Sequence, residues 1–336
     1  MGLARNKLNT LVIIKFPFWE STKKNPNAYR PAASELRGRV VRSLAVLQKG
    51  RRNNMDMHDL TEQLHFLIKC LETEMPEYAE YAMPEDPKQA FDLYRALCNV
   101  RMPSGDTGHT LPDNFYTVQS EVLKGITVEK GITEAADLPP AGLDHRLFLW
   151  QGDITTLKAD AIVNAANSQM LGCFSPLHGC IDNMIHTMAG VELREKCYQI
   201  MKAQGHEEPT GEAKITPGYN LPARYVIHTV GPIVSGWLTG KDKELLASCY
   251  RSVLSTASGH QLESVAFCCI STGVFHFPQD KAAEIAVSTV RGWLDAHPES
   301  SVHRVIFNVF KESDREIYRE ILYPSGTNAR MGQNQK

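Results

Sequence analysis

The spacing of apolar positions changes character near residue 140. From about Pro31 to Gly125 it is helical. Leu60, Leu64, Leu67 and Leu71 share one face of a helix that opens at Asp56 and is closed by Pro76. A second helix runs from Pro87 to Cys98, with the proline in the first turn, where its missing N–H costs nothing. A third runs from about Asp113 to Leu123. The stretch Ala135 to Gly142, with Pro139-Pro140, reads as a connection.

Beyond it, short apolar runs alternate with amphipathic helices. The pattern predicts strands at Arg146–Gln151, Ala161–Asn164, Ala213–Thr216, Tyr225–Thr229, Ser264–Ile270 and Val305–Val309. It predicts helices at Ile181–Ala203, Lys243–Ser258, Asp280–Ala296 and Ser313–Leu322. The middle strands are apolar on both faces, which implies a mostly parallel sheet covered on both sides. The chain therefore divides into an N-terminal extension (1–30), a helical accessory domain (31–135), a linker (136–145), an α/β domain (146–323) and a flexible tail (324–336).

Composition narrows the class. The 336 residues are 43% hydrophobic and 22% charged, and the formal net charge is −2, which argues against a surface built for a nucleic-acid backbone. No apolar run has the ~20 residues needed to span a bilayer. The run Leu11 to Phe18 is interrupted by Lys15 and Pro17, so it does not read as a secretory signal. The basic excess around it leaves a mitochondrial transit segment as the alternative to a cytoplasmic protein with a disordered or strand-like extension. Of the 8 cysteines, Cys70, Cys98, Cys197, Cys249, Cys268 and Cys269 sit in apolar patterns and read as small hydrophobes. That usage suits a reducing compartment rather than a disulfide framework.

Ligands of such sheets bind where strands run into loops at their carboxyl ends. Three loops there carry chemistry. Gly152-Asp153-Ile154-Thr155 offers a carboxylate that either caps a turn or accepts from an exocyclic amine. Asn164-Ala165-Ala166-Asn167 offers an amide that either shapes a turn or meets sugar hydroxyls. Ser271-Thr272-Gly273-Val274-Phe275 is small enough to turn backbone N–H groups toward a diphosphate. Phe310, after the last strand, is either core or an aromatic face for a base.

A fourth segment, Gly172 to Asn183, places Cys173, His178 and Cys180 within eight residues. Two thiols and an imidazole at that spacing suit Zn²⁺ with one tetrahedral position open, as in catalytic sites. Spacing alone also allows free cysteines beside a loop histidine. His186 lies more than a helical turn further on and reads as structural.

Together these segments resemble a macrodomain over Leu147 to Leu322. The resemblance rests on Gly152-Asp153-Ile154-Thr155, Ile162-Val163-Asn164-Ala165-Ala166-Asn167, Thr210-Gly211-Glu212-Ala213, Tyr219-Asn220-Leu221-Pro222-Ala223, Val226-Ile227-His228-Thr229-Val230-Gly231-Pro232 and Ser271-Thr272-Gly273. The familiar hydrolytic macrodomains carry a glycine run where this chain has its Cys–His–Cys insert. In that respect it is similar to the zinc-containing macrodomain subfamily of protein ADP-ribosyl hydrolases.

The resemblance implies a three-layer α/β/α fold with a mixed, mostly parallel central sheet. It places adenine against Asp153 and Ile154, the diphosphate against Ser271, Thr272, Gly273, Val274 and Phe275, and the distal ribose over Asn167. It makes Cys173, His178 and Cys180 the Zn²⁺ ligands and puts Asp182, also favoured as a helix-start charge, with Asn167 in catalysis. The implied activity is zinc-dependent removal of mono-ADP-ribose from modified proteins, from Asp/Glu linkages. The alternatives are a reader of ADP-ribose without turnover and an O-acyl-ADP-ribose esterase. The implied partners are ADP-ribose and a mono-ADP-ribosylated protein, such as a carrier modified by a sirtuin-like transferase, with no nucleic acid and no membrane.

Overall fold

The computed structural model describes residues 57–80, 82–142 and 144–323. The expected N-terminal extension, the start of the helical region and the C-terminal tail lie outside those residues. Helices α1 (Met57–Glu74), α2 (Pro87–Val100), α3 (Ser104–Thr107) and α4 (Asp113–Lys130) come first. A short strand β1 (Thr133–Glu134) pairs in parallel with β3 (Leu157–Lys158). The main sheet is built from β2 (Leu147–Gln151), β4 (Ala161–Ala166), β5 (Ala213–Pro217), β6 (Tyr225–Val230), β7 (Ser264–Phe267) and β8 (Arg304–Val309). Its order is β2-β8-β7-β4-β6-β5, and only β5 runs antiparallel to its neighbour. Helices α5 (Ile181–Ala189), α6 (Val191–Gln204), α7 (Gly240–Gly259), α8 (Gln279–Ala296) and α9 (Glu312–Leu322) complete it. No helix among the described residues is long and apolar enough to cross a membrane.

The single helix expected over Ile181–Ala203 is two. The chain breaks at Gly190, whose φ of 96° belongs to glycine. A Cβ there would meet Gln119 Nε2 at 2.7 Å and Asn220 Nδ2 at 2.8 Å, so the close approach of α4 also requires glycine. The third helix is longer than expected and ends at Lys130, before Gly131 at φ 90°.

The helices before the sheet do not stand apart from it. The described residues form one compact unit, and the apolar core runs continuously from Leu60 and Leu64 through Leu147 and Val163 to Leu322. The segment expected as a linker is tied to β2 by Ala141 N–H donating to Leu147 O (2.7 Å). Buried arginines knit the layers together. Arg101 bridges Glu74 and Glu195 at 2.6 Å each. Arg194 on α6 donates to the carbonyls of Cys98, Asn99 and Arg101 at the end of α2. Removing one partner from such a buried set costs about 3–5 kcal/mol, because a charge is left stranded.

Candidate functional site

The strand order sets the layout. The loop after β2 carries Asp153, the loop after β7 carries Ser271 to Phe275, and the loop after β4 carries Asn167 and the Cys–His–Cys segment. These loops leave the carboxyl ends of parallel strands, in the spatial sequence β2, β7, β4.

Asp153 is partly buried and already engaged. Its Oδ1 accepts from Thr155 N–H (3.0 Å) and Thr155 hydroxyl (2.6 Å), capping a single 3-10 turn, and its Oδ2 pairs with Lys130 Nζ at 3.0 Å. Lys130 reaches it because α4 runs on past Gly125. Ile154 beside it is buried. Phe310 is 54% exposed at the same end, so it is not core, and Gln151 Nε2 donates to its carbonyl.

The Ser271–Phe275 loop is a strained turn. Ser271 has φ 64° and His276 φ 57°, conformations that side chains rarely adopt. The turn is held by Phe277 N–H to Ser271 O (3.0 Å), His276 N–H to Gly273 O (3.1 Å) and Val234 N–H to Phe275 O (2.9 Å). Ser271 Oγ is buried without a partner, and a Cβ on Gly231 would lie 2.1 Å from it, so Gly231 makes room for the loop. Among the described residues, the N–H groups of Gly273, Val274 and Phe275 donate to no protein acceptor. That is the equipment of an anion cradle.

At the end of β4 the predicted residues converge. Asn167 Oδ1 accepts from Gln169 N–H, and its Nδ2 donates to Gly172 O (3.0 Å) and toward Asp182 Oδ2 (3.4 Å). Asp182, 5% exposed in the first turn of α5, also accepts from Asn164 Nδ2 at 2.8 Å. Burial raises the Asp182 carboxyl to about 6, opposed by the Asn164 hydrogen bond. A carboxyl so placed can take or give a proton near neutrality.

Ligand atoms of Cys173, His178 and Cys180 lie within 4.8 Å of one another. Tetrahedral zinc, with Zn–S of ~2.3 Å and Zn–N of ~2.0–2.1 Å, would separate its sulfur and nitrogen ligands by ~3.5 Å. Cys173 Sγ and His178 Nδ1 are 3.6 Å apart. The donor set and its spacing fit the ion. The hydrogen bond between the two thiols holds Cys173 well below the ordinary range, against its burial and with help from the Ser175 backbone, and it pushes Cys180 up, where burial adds to the rise. Cys180 is also the N-cap of α5, its Sγ accepting from Asn183 N–H at 3.5 Å.

A second trio, His186, Cys197 and His228, is wholly buried behind Asp182. In it both ring nitrogens of His228 are engaged, whereas those of His186 have no hydrogen-bond partner. The Asp182 carboxylate only accepts, so Asn164 presents its NH2 group to it and to His228 Nδ1 (3.1 Å). His228 then carries its proton on Nε2 and donates to Thr216 Oγ1 (3.0 Å). Its Nδ1 thus supports Asp182 through Asn164, while its Nε2 is held by Thr216. His186 Nε2 lies 3.5 Å from Asp182 Oδ1 without hydrogen-bond geometry.

These histidines make folding sensitive to acid. Burial pushes His228 down to about 3 and His186 well below the imidazole range, the latter aided by the charge on Arg194. In the unfolded chain both return to ~6.5. Their contribution is thus complete above that value and lost as pH falls through it, at ~1.4 kcal/mol per pH unit for each proton that only the unfolded chain takes up. Asp182 acts oppositely, since its raised folded value binds a proton earlier than the unfolded chain does. Urea unfolding of metal-free protein is expected to lose stability between pH ~7.5 and ~5.5, by about 1.4 kcal/mol less in His228→Gln than in wild type. A His228→Gln profile parallel to wild type would place the sensitivity elsewhere.

Residues not singled out in the sequence complete the site. Lys130 pairs with Asp153, Asn164 and His228 hold Asp182, and Asn183 with Arg95 and Asn99 brace the cysteine loop. Only the spacing of Arg95 and Asn99, one turn apart on a single helix face, could have pointed to a shared role.

Residues 163–286 match the family model of the Macro domain. The chain is 51% identical over 263 residues to a protein-ADP-ribose hydrolase of Treponema medium, covering 78% of this chain and 98% of that one. It is 48% identical over 259 residues to a protein-ADP-ribose hydrolase of Staphylococcus aureus (strain MSSA476), covering 77% and 94%. Among solved structures, the Trypanosoma brucei macrodomain in complex with ADP-ribose is 29% identical, spans 74% of this chain and 94% of its own, and superposes with a TM-score of 0.50.

Proposed function

Because the chain belongs to the macrodomain family of protein-ADP-ribose hydrolases, we propose that it removes mono-ADP-ribose from modified proteins, cutting the bond between the distal ribose and a side-chain carboxylate, with zinc as its cofactor. The observation that carries this reading is the meeting of Asn167, Asp182 and the Cys173–His178–Cys180 trio at the end of β4. A module that only bound the ligand would need no buried, proton-accepting carboxyl beside a metal-ligand set.

The strand order supports the ligand's direction. From β2 to β4 is three strand spacings, ~14 Å, which accommodates adenine at Asp153 and Ile154, two phosphates at the Ser271–Phe275 amides and the second ribose at Asn167. Asp182, oriented by Asn164 and Asn167, holds the attacking water and accepts its proton while the carrier carboxylate departs. Zinc held by Cys173, His178 and Cys180 supplies Lewis acidity toward oxygen at this end of the cleft. The carrier is a protein bearing ADP-ribose, such as one modified by a sirtuin-like transferase, and the chain works in the cytoplasm.

The test is release of ADP-ribose from Asp/Glu-, Ser- and Arg-modified proteins and from an O-acyl-ADP-ribose, with and without a chelator. Release from the Asp/Glu substrate, abolished by the chelator, is expected. Binding with no release from any of them would make the chain a reader, and preference for the small ester would make it an esterase.

Affinity is controlled from the other end. Asp153→Ala removes a charged acceptor worth about 1.5–3 kcal/mol, so calorimetry should show free ADP-ribose binding about tenfold or more weaker, with zinc retained. Unchanged affinity would remove adenine from Asp153.

A further inference from the structure

The cysteine loop is short, yet little of what fixes its shape lies within it. Asn183, fully buried on α5, donates from Nδ2 to Ser175 O (3.1 Å) and toward Cys173 O (3.5 Å). It can do so because its Oδ1 is gripped by Arg95, from Nε at 3.0 Å and Nη2 at 2.7 Å. The same Nη2 reaches the carbonyl of His178 at 2.8 Å. One turn along α2, Asn99 is 1% exposed. Its Oδ1 accepts from Leu177 N–H (3.0 Å) and Asn183 Nδ2 (2.9 Å). Leu177 sits at φ 54°, a conformation that is strained for a side-chain-bearing residue and persists only where its surroundings impose it. From the other side, Arg194 donates to Leu171 O (2.6 Å) and lies 4.4 Å over the Phe174 ring.

We propose that helix α2 is part of the metal centre: Arg95 and Asn99 are positioning residues that hold the loop Gly172–Cys180 in the shape that brings Cys173, His178 and Cys180 to one zinc ion. This rests on the zinc reading above and extends it, giving the helices before the sheet a task in the site. The physical reason is preorganisation. The three ligand atoms already lie within 4.8 Å of one another in the protein's own geometry. A loop with a left-handed leucine between two of its ligands would otherwise relax and have to be reordered by the ion. The guanidinium suits the task because its fixed fork meets the Asn183 and His178 oxygens at once. A lysine at that place offers a point charge and keeps one contact.

Zinc affinity, measured by competition with a chromophoric chelator on the full chain, tests the assignment. Groups that orient metal ligands are typically worth 10–100-fold in affinity. Arg95→Met and Asn99→Ala are each expected to fall in that range, with Arg95→Lys between Arg95→Met and wild type. Cobalt substituted for zinc should lose intensity in its thiolate charge-transfer band in Arg95→Met. Arg101→Met serves as the control for mere loosening of the helices, since Arg101 pairs with Glu74 and Glu195 and makes no side-chain contact with the loop. It should melt earlier and keep wild-type zinc affinity. Wild-type affinity in both Arg95→Met and Asn99→Ala overturns the inference and leaves the metal site standing. Equal losses in the Arg101→Met control overturn it too, since zinc would then follow general stability. A wild-type chain that takes up no zinc fails the metal reading itself.

Discussion

Asp182→Ala is expected to bind free ADP-ribose nearly as tightly as the parent while releasing it from a carboxylate-modified protein about 10²–10⁴-fold more slowly, the usual worth of a positioned acid or base. The two effects separate because Asp182 faces only the reacting end. Its hydrogen-bond partners are Asn164 and Asn167, whereas the adenine and diphosphate contacts proposed above lie on the loops after β2 and β7. Its contribution should therefore appear in the transition state rather than in ground-state affinity. Truncation also leaves one Asn164 N–H without its acceptor, at about 1–3 kcal/mol of stability. Asp182→Asn keeps the shape and removes the proton acceptor, so it should show a comparable loss of rate with a smaller fall in melting temperature. Progress curves of ADP-ribose release beside calorimetric titrations measure both quantities. If both variants match wild type in rate, Asp182 is only a helix-start charge, and the chemistry moves to Asn167 and the metal ligands.

The residues that were legible in the sequence are those whose signal is local. Cys173, His178, Cys180 and Asp182 fall in one short run, so their spacing could be read directly. The strands were legible where burial on both faces leaves short apolar runs, as in Ala161 to Val163 of β4 and Tyr225 to Ile227 of β6. The same signal overextended β7. It ends at Phe267, although Cys268 and Ile270 stay buried in the loop beyond it, and an apolar period cannot tell a strand from a buried loop. Glycine misled in both directions. Gly125 reads as a stop, costing about 1 kcal/mol relative to alanine, yet α4 continues through it because Val122, Leu123 and Thr127 are packed on the core. Gly190 reads as tolerable inside a helix, and it ends one. The first of these mattered to the site, since the added length from Lys124 to Lys130 is what delivers Lys130 to Asp153. Arg95 and Asn99 carry no signal beyond their spacing, for another reason. Their neighbours Tyr94, Ala96 and Leu97 are plain core, and their partners in the loop and on α5 lie 78 or more residues away in sequence.

Wild-type protein is expected to carry about one zinc ion per chain, and each of Cys173→Ala, His178→Ala and Cys180→Ala to lose it, and with it about 10²-fold or more of the release activity. Affinity for free ADP-ribose should stay within about threefold, because adenine and diphosphate are held elsewhere. The three variants should nonetheless differ in a way the structure specifies. His178 and Cys173 serve the loop alone, whereas Cys180 is also the N-cap of the helix that carries Asp182. A lost cap costs about 1 kcal/mol and frees the first turn of α5. Cys180→Ala should therefore melt earlier than His178→Ala and show the lowest residual rate of the three. Cys180→Ser, whose hydroxyl can cap, should recover stability without recovering zinc. Elemental analysis, thermal denaturation and release assays on the same preparations decide the matter. Full zinc occupancy in all three alanine variants would sink the site. Zinc lost with release undiminished would leave Asp182 and Asn167 to carry the chemistry and reduce the metal to a brace for the loop that presents them.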